Sequence, residues 1–136
     1  MKSSSFEAQF ITRLSDHVAS KYPELSFSVP RAARHPNIVV ANRRTDNVLW
    51  IQVAGGGSGN PVPAATIAVL VEMNAAMKDL HGHSSHSELW LISSAKVLPP
   101  WTDILAQEHI YVISCEAVDG ALSQFDRRLR ALASGD

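Results

Sequence analysis

Three runs of this sequence, VLWIQV at 48–53, ELWLIS at 88–93 and IYVIS at 110–114, are too short for helices and too apolar to face water on both sides. Each reads as a strand of a covered sheet, and the intervening segments decide what covers it. After the first run, Ala64 to about Leu80 reads as a helix with Ile67, Leu70, Met73, Met77 and Leu80 on its core face. Val69 and Val71 widen that face, which predicts cover on two sides. Pro61 and Pro63 lead into this helix and His81-Gly82 ends it. Between the second and third runs, Pro99-Pro100 starts a short helix to about Gln107. After the third, Val118, Leu122, Phe125, Leu129 and Leu132 keep a helical period to the C-terminus. Strands joined through a helix run parallel, so 88–93 and 110–114 are expected side by side.

The N-terminal part has a different grammar. Residues 5–20 read as a helix, with Phe6, Phe10, Leu14 and Val18 spaced by four and Ile11 beside them. Ser4 and Glu7 have capping-box spacing, and Tyr22-Pro23 stops the helix. Leu25 to Val29 alternates apolar and polar residues until Pro30. Asn37 to Ala41 carries Ile38, Val39 and Val40, and the polar Arg43-Arg44-Thr45-Asp46 then joins it to 48–53 as an antiparallel hairpin. Gly55 to Asn60 (GGGSGN) is a loop without the Lys-Ser or Lys-Thr of a phosphate loop. The order α-β-β-β-α-β-α-β-α predicts an α/β fold, a mixed central sheet of about five strands flanked by helices, as one domain over 1–136.

Composition narrows the function classes. A chain of 136 residues, 46% hydrophobic and 18% charged, can bury a core without disulfides or metals. A net charge of −1 removes the simplest case for a strong nucleic-acid binder. The single cysteine, Cys115, allows no internal disulfide and suggests no zinc site, which suits a reducing compartment. MKSSSFEAQF lacks the apolar run of a signal peptide, and Pro63 to Val71 is too short to span a bilayer. A cytoplasmic protein without membrane contact is the expectation.

Two segments carry a resemblance. His35-Pro36-Asn37-Ile38-Val39-Val40 and Leu49-Trp50-Ile51-Gln52-Val53-Ala54-Gly55 fall on successive strands, and Phe6-Glu7 opens the first helix. With the element order over roughly 5–114, they resemble the PD-(D/E)xK, or restriction-endonuclease-like, superfamily, and most of all its small Holliday-junction-resolvase and Mrr-type members. The resemblance implies an Asp at the start of the second strand, an acidic residue and a Lys on the third, and often a Glu on the first helix. Here Asn37 stands at the Asp position, Gln52 at the second carboxylate and Ala54 at the lysine, while Glu7 matches the helix element. Phosphodiester hydrolysis in such a site needs hard divalent cations held by anionic oxygen. Asn and Gln keep the shape of Asp and Glu but lose the charge, and Ala has no amine. These are also the changes an experimenter would choose to silence an enzyme.

The resemblance therefore implies a catalytically inactive nuclease-like domain that acts as a binding or regulatory module, without a cofactor, on a protein partner or a DNA or RNA backbone. One alternative is an active nuclease with migrated ligands Glu7 and Glu72, which would need Mg²⁺ and a cation such as Lys78. Another is an α/β interaction or immunity protein with no nuclease ancestry. Arg31, Arg34, His35, Arg43 and Arg44 form a basic set with no acid between Pro30 and Thr45, able to hold phosphates if they gather near one end of the sheet. His81, His83 and His86 read as a solvated loop, and Asp126, Arg127, Arg128 and Arg130 as the solvated face of the last helix. Cys115 reads as a small core residue, and Trp50, Trp90 and Trp101 as core or core edge. Apolar edge strands leave a homodimer open.

Overall fold

The computed structural model describes residues 5–30, 37–55, 60–81 and 86–135. The elements follow the expected order: α1 (Phe6–Lys21), β1 (Leu25–Ser28), β2 (Ile38–Asn42), β3 (Asn47–Ala54), α2 (Ala64–His81), β4 (His86–Ser93), α3 (Pro99–Gln107), β5 (Tyr111–Ser114) and α4 (Val118–Ala133). The strands form one mixed sheet in the spatial order β1-β2-β3-β4-β5. β1, β2 and β3 pair antiparallel, while β3, β4 and β5 run parallel. The change from hairpin to parallel pairing falls where the connections change from short loops to helices, as chain geometry requires.

The alternation of β3 shows how the sheet divides the core. Asn47, Leu49, Ile51 and Val53 are buried and the residues between them are half-buried. Leu49, Ile51 and Val53 join Phe10 and Leu14 of α1 and Phe125 and Leu129 of α4 on one face. Trp50 and Ala54 lie against the second cluster, built from Ile67, Leu70 and Met73 of α2, Leu89 and Leu91 of β4, and Leu105 of α3. Trp90 packs on the first cluster, Trp101 on the second and half-buried Cys115 on the first, so all three tryptophans and the cysteine sit at core edges.

Local chemistry departs from the sequence reading at two places. Ser5 caps α1, its Oγ accepting the Ala8 N–H at 3.1 Å, and Glu7 makes no capping box. Its carboxylate goes elsewhere, as described below. α2 is covered on one side rather than two: Leu70 and Met77 are buried, but Val69 is 45% exposed. The sheet and α3 occupy one side of α2, and no described element packs over Val69.

The β2–β3 turn closes as expected at Arg43–Asp46, with the Asn42 carbonyl accepting both the Thr45 and Asp46 N–H groups. Asn42 itself is buried. Its Nδ2 donates to the Leu132 carbonyl at 2.9 Å and its Oδ1 accepts the Arg44 N–H at 2.9 Å, so one amide ties the hairpin to the C-terminal end of α4. No described helix is long and apolar enough to cross a membrane.

Candidate functional site

Asn37, Gln52 and Ala54 come together at one end of β2 and β3. The register pairs Ile38 with Ile51, and Asn37 stands one residue before β2 begins. Gln52 and Ala54, two apart on β3, share a face with Trp50, whereas Ile38 and Ile51 point into the α1/α4 side. Gln52 and Ala54 are neighbours by alternation, and Asn37 is tied to the same strand end through the Val53 N–H.

What the side chains do there is mostly structural. Asn37 Oδ1 accepts the Val53 N–H at 2.6 Å, which satisfies a strand-end donor that β2 no longer reaches. Gln52 Oε1 is buried and has no hydrogen-bond partner among the described residues. A desolvated acceptor of this kind costs about 1–3 kcal/mol. Ala54 contributes a methyl group to the second cluster and its carbonyl accepts the Ser94 N–H at 3.1 Å.

Glu7 approaches the same strand end from α1. Its Oε1 accepts the Gly55 N–H at 3.4 Å. A Cβ at Gly55 would meet Phe6 Cβ at 3.4 Å, an ordinary van der Waals contact, so the first turn of α1 lies beside the chain leaving β3. Glu7 thus arrives from the α1 side, while positions 52 and 54 face the other side of the sheet. Glu72 is exposed on α2 and Lys78 is exposed near that helix's end. α1 packs with the first cluster and α2 with the second, so Glu7 and Glu72 belong to opposite faces of the sheet. Among the described residues no group of three or more His, Cys, Asp or Glu side chains could hold a metal ion.

The basic set divides. Arg43 and Arg44 are exposed in the hairpin turn, at the end of β2 away from Asn37. Arg31, Arg34 and His35 lie outside the described residues, as does His83; Pro30 and Asn37, which flank the former, lie beyond the other ends of β1 and β2.

Sequence reasoning missed a polar cluster between α1 and α4. Asp126 is not on a solvated face: its side chain is 15% exposed. Asp126 Oδ1 lies 2.6 Å from His17 Nε2 and accepts the Tyr22 hydroxyl at 2.8 Å, and Arg130 Nη2 donates to Oδ2 at 3.3 Å. Burial pushes the Asp126 carboxyl up, but hydrogen bonds from His17 and Tyr22 outweigh it and hold the group below the ordinary carboxylate range. Burial, and then the bond to Asp126, raise the Tyr22 hydroxyl above its usual value. Arg128 is likewise half-buried, donating through Nε to Glu88 Oε1 at 2.8 Å and through Nη2 to Oε2 at 3.3 Å. The correction has a simple cause. Asp126 follows buried Phe125, and Arg128 precedes buried Leu129, so both flank the apolar stripe rather than oppose it. That flanking position was the available signal.

No family profile, no curated protein and no solved structure matches the chain.

Proposed function

We propose that this protein is a nuclease-like binding module that does not hydrolyse nucleic acid and that recognises a protein partner or a nucleic-acid backbone. The observation that carries the reading is the 2.6 Å hydrogen bond from the Val53 N–H to Asn37 Oδ1. At the position where the resembled family presents a metal-binding Asp, the side chain is spent on the backbone of the neighbouring strand. Gln52 beside it offers an uncharged oxygen, and Ala54 offers none. Mg²⁺ requires anionic oxygens and near-octahedral room, which this donor set does not supply. The separation of Glu7 and Glu72 onto opposite faces gives the migrated-site alternative no geometric support.

The test restores the charges. Calorimetric titration of the native protein with Mg²⁺ and Mn²⁺ is expected to show no stoichiometric binding. The variant Asn37→Asp, Gln52→Glu, Ala54→Lys is expected to bind a divalent ion. A folded triple variant that binds none removes the relic-site reading, and tight binding by the native protein replaces it with an active metal-dependent enzyme.

A further inference from the structure

The backbone alone suffices to end α3. The Ile110 N–H donates to the Leu105 carbonyl at 2.9 Å and the His109 N–H to the Ala106 carbonyl at 3.1 Å, the paired bonds of a left-handed helix stop. Position 109 accordingly has a φ of 59°. Glycine takes that conformation without steric cost and is the usual residue there. His109 accepts the crowding, although neither bond needs an imidazole. Backbone strain of this kind persists where the side chain serves another purpose.

The purpose is suggested by where His109 sits. It lines a cleft of about 560 Å³ at the end of the sheet where β4 and β5 begin, opposite the end at Ala54. Buried Met77 and Leu89 give the cleft an apolar floor. Asn74, also buried, donates through Nδ2 to the Glu108 carbonyl at 2.8 Å and holds α2 to the end of α3 beside it. The lining carries both signs of charge, with Lys78 against Asp79 and Glu108. Glu88 reaches the cleft as well, but its Oε1 already accepts from Arg128 Nε at 2.8 Å and Trp90 Nε1 at 3.0 Å. A purely anionic ligand would meet Asp79 and Glu108, and a purely cationic one would meet Lys78. A zwitterion with an apolar body opposes neither and covers the floor.

We propose that this cleft binds a small zwitterion with an apolar body, of the free amino-acid class. Lys78 and the His109 imidazole receive its carboxylate, Asp79 and Glu108 receive its ammonium group, and its side chain lies on Met77 and Leu89. None of positions 37, 52 and 54 takes part, so this site and the relic site can fail separately.

The test is a titration of the ¹⁵N-labelled full chain with L-phenylalanine, with hydrocinnamate, which lacks the amine, and with phenethylamine, which lacks the carboxylate. Saturable shifts are expected at the Leu89 amide and the Asn74 side-chain amide. Phenylalanine should bind at least about tenfold tighter than either analogue, the scale of one lost charge-assisted contact. Lys78→Ala should remove the advantage over phenethylamine. His109→Gly should raise the urea midpoint, because the strain is gone, while weakening phenylalanine binding. Equal binding of the three compounds, shifts confined to residues away from the cleft, or unchanged binding by His109→Gly would each overturn the proposal. So would a His109→Gly midpoint that fails to rise, since the imidazole would then support the fold and not a ligand.

Discussion

At the scale of single residues, Asn37 and Gln52 show that two amides near one end of the sheet can be satisfied very differently. Asn37 has a defined partner in the Val53 N–H, whereas Gln52 buries an acceptor with none among the described residues. Because an unpaired buried acceptor is destabilising, Gln52→Met, which keeps length and removes the amide, is expected to raise stability by about 1 kcal/mol. Urea unfolding checks it: the midpoint should rise with an unchanged slope. A lower midpoint would mean that Oε1 is satisfied and that the amide supports the fold. The identity of position 52 was plain in the sequence, but its want of a partner was not, because burial of one atom depends on every element packed around it.

At the scale of elements, the α1–α4 contact is held by more than its apolar stripe. His17, Tyr22 and Arg130 converge on Asp126 from two helices and the turn after α1. The folded carboxyl sits below the unfolded value of about 4. Stability from this group is therefore present above about pH 4 and is lost as pH falls through the depressed folded value. Asp126→Asn should cost about 1–3 kcal/mol at neutral pH, with the difference from the native protein shrinking under acid conditions. Parallel denaturant titrations at pH 7 and pH 3 measure this, and a pH-independent difference would assign the cost to packing alone. The helices themselves were legible from the spacing of Phe10, Leu14 and Val18 and of Phe125, Leu129 and Leu132, all buried. Asp126 and Arg128 were misread as solvated, while Arg127 and Arg130 are exposed as expected, since a helical wheel places Asp126 at the stripe's border and only the neighbouring helix decides which way the border falls.

At the scale of the whole molecule, two apolar clusters share a single sheet. β3 and β4 supply residues to both, so neither cluster can come apart without exposing strands that the other covers. One cooperative transition is the expected consequence. Trp90 reports on the α1/α4 side and Trp50 and Trp101 on the α2/α3 side. In urea, tryptophan fluorescence of single-tryptophan variants and far-ultraviolet circular dichroism should give coincident midpoints. Separate midpoints would show that the two faces unfold independently.

The periodicities alone determined the element order, the hairpin at Arg43–Asp46 and the parallel pairing of β4 with β5, because apolar spacing and turn residues act within a few positions of the chain. They also placed Gln52 and Ala54 two apart on one strand, whereas whether position 37 meets them was left for the fold to decide. Only the tertiary structure decided that Glu7 caps the backbone after β3, that Glu72 faces solvent, that Val69 is left uncovered and that Asp126 is enclosed. Each of those outcomes is set by which surface of a neighbouring element lies within hydrogen-bonding or van der Waals reach, a quantity that residue spacing along one chain does not contain.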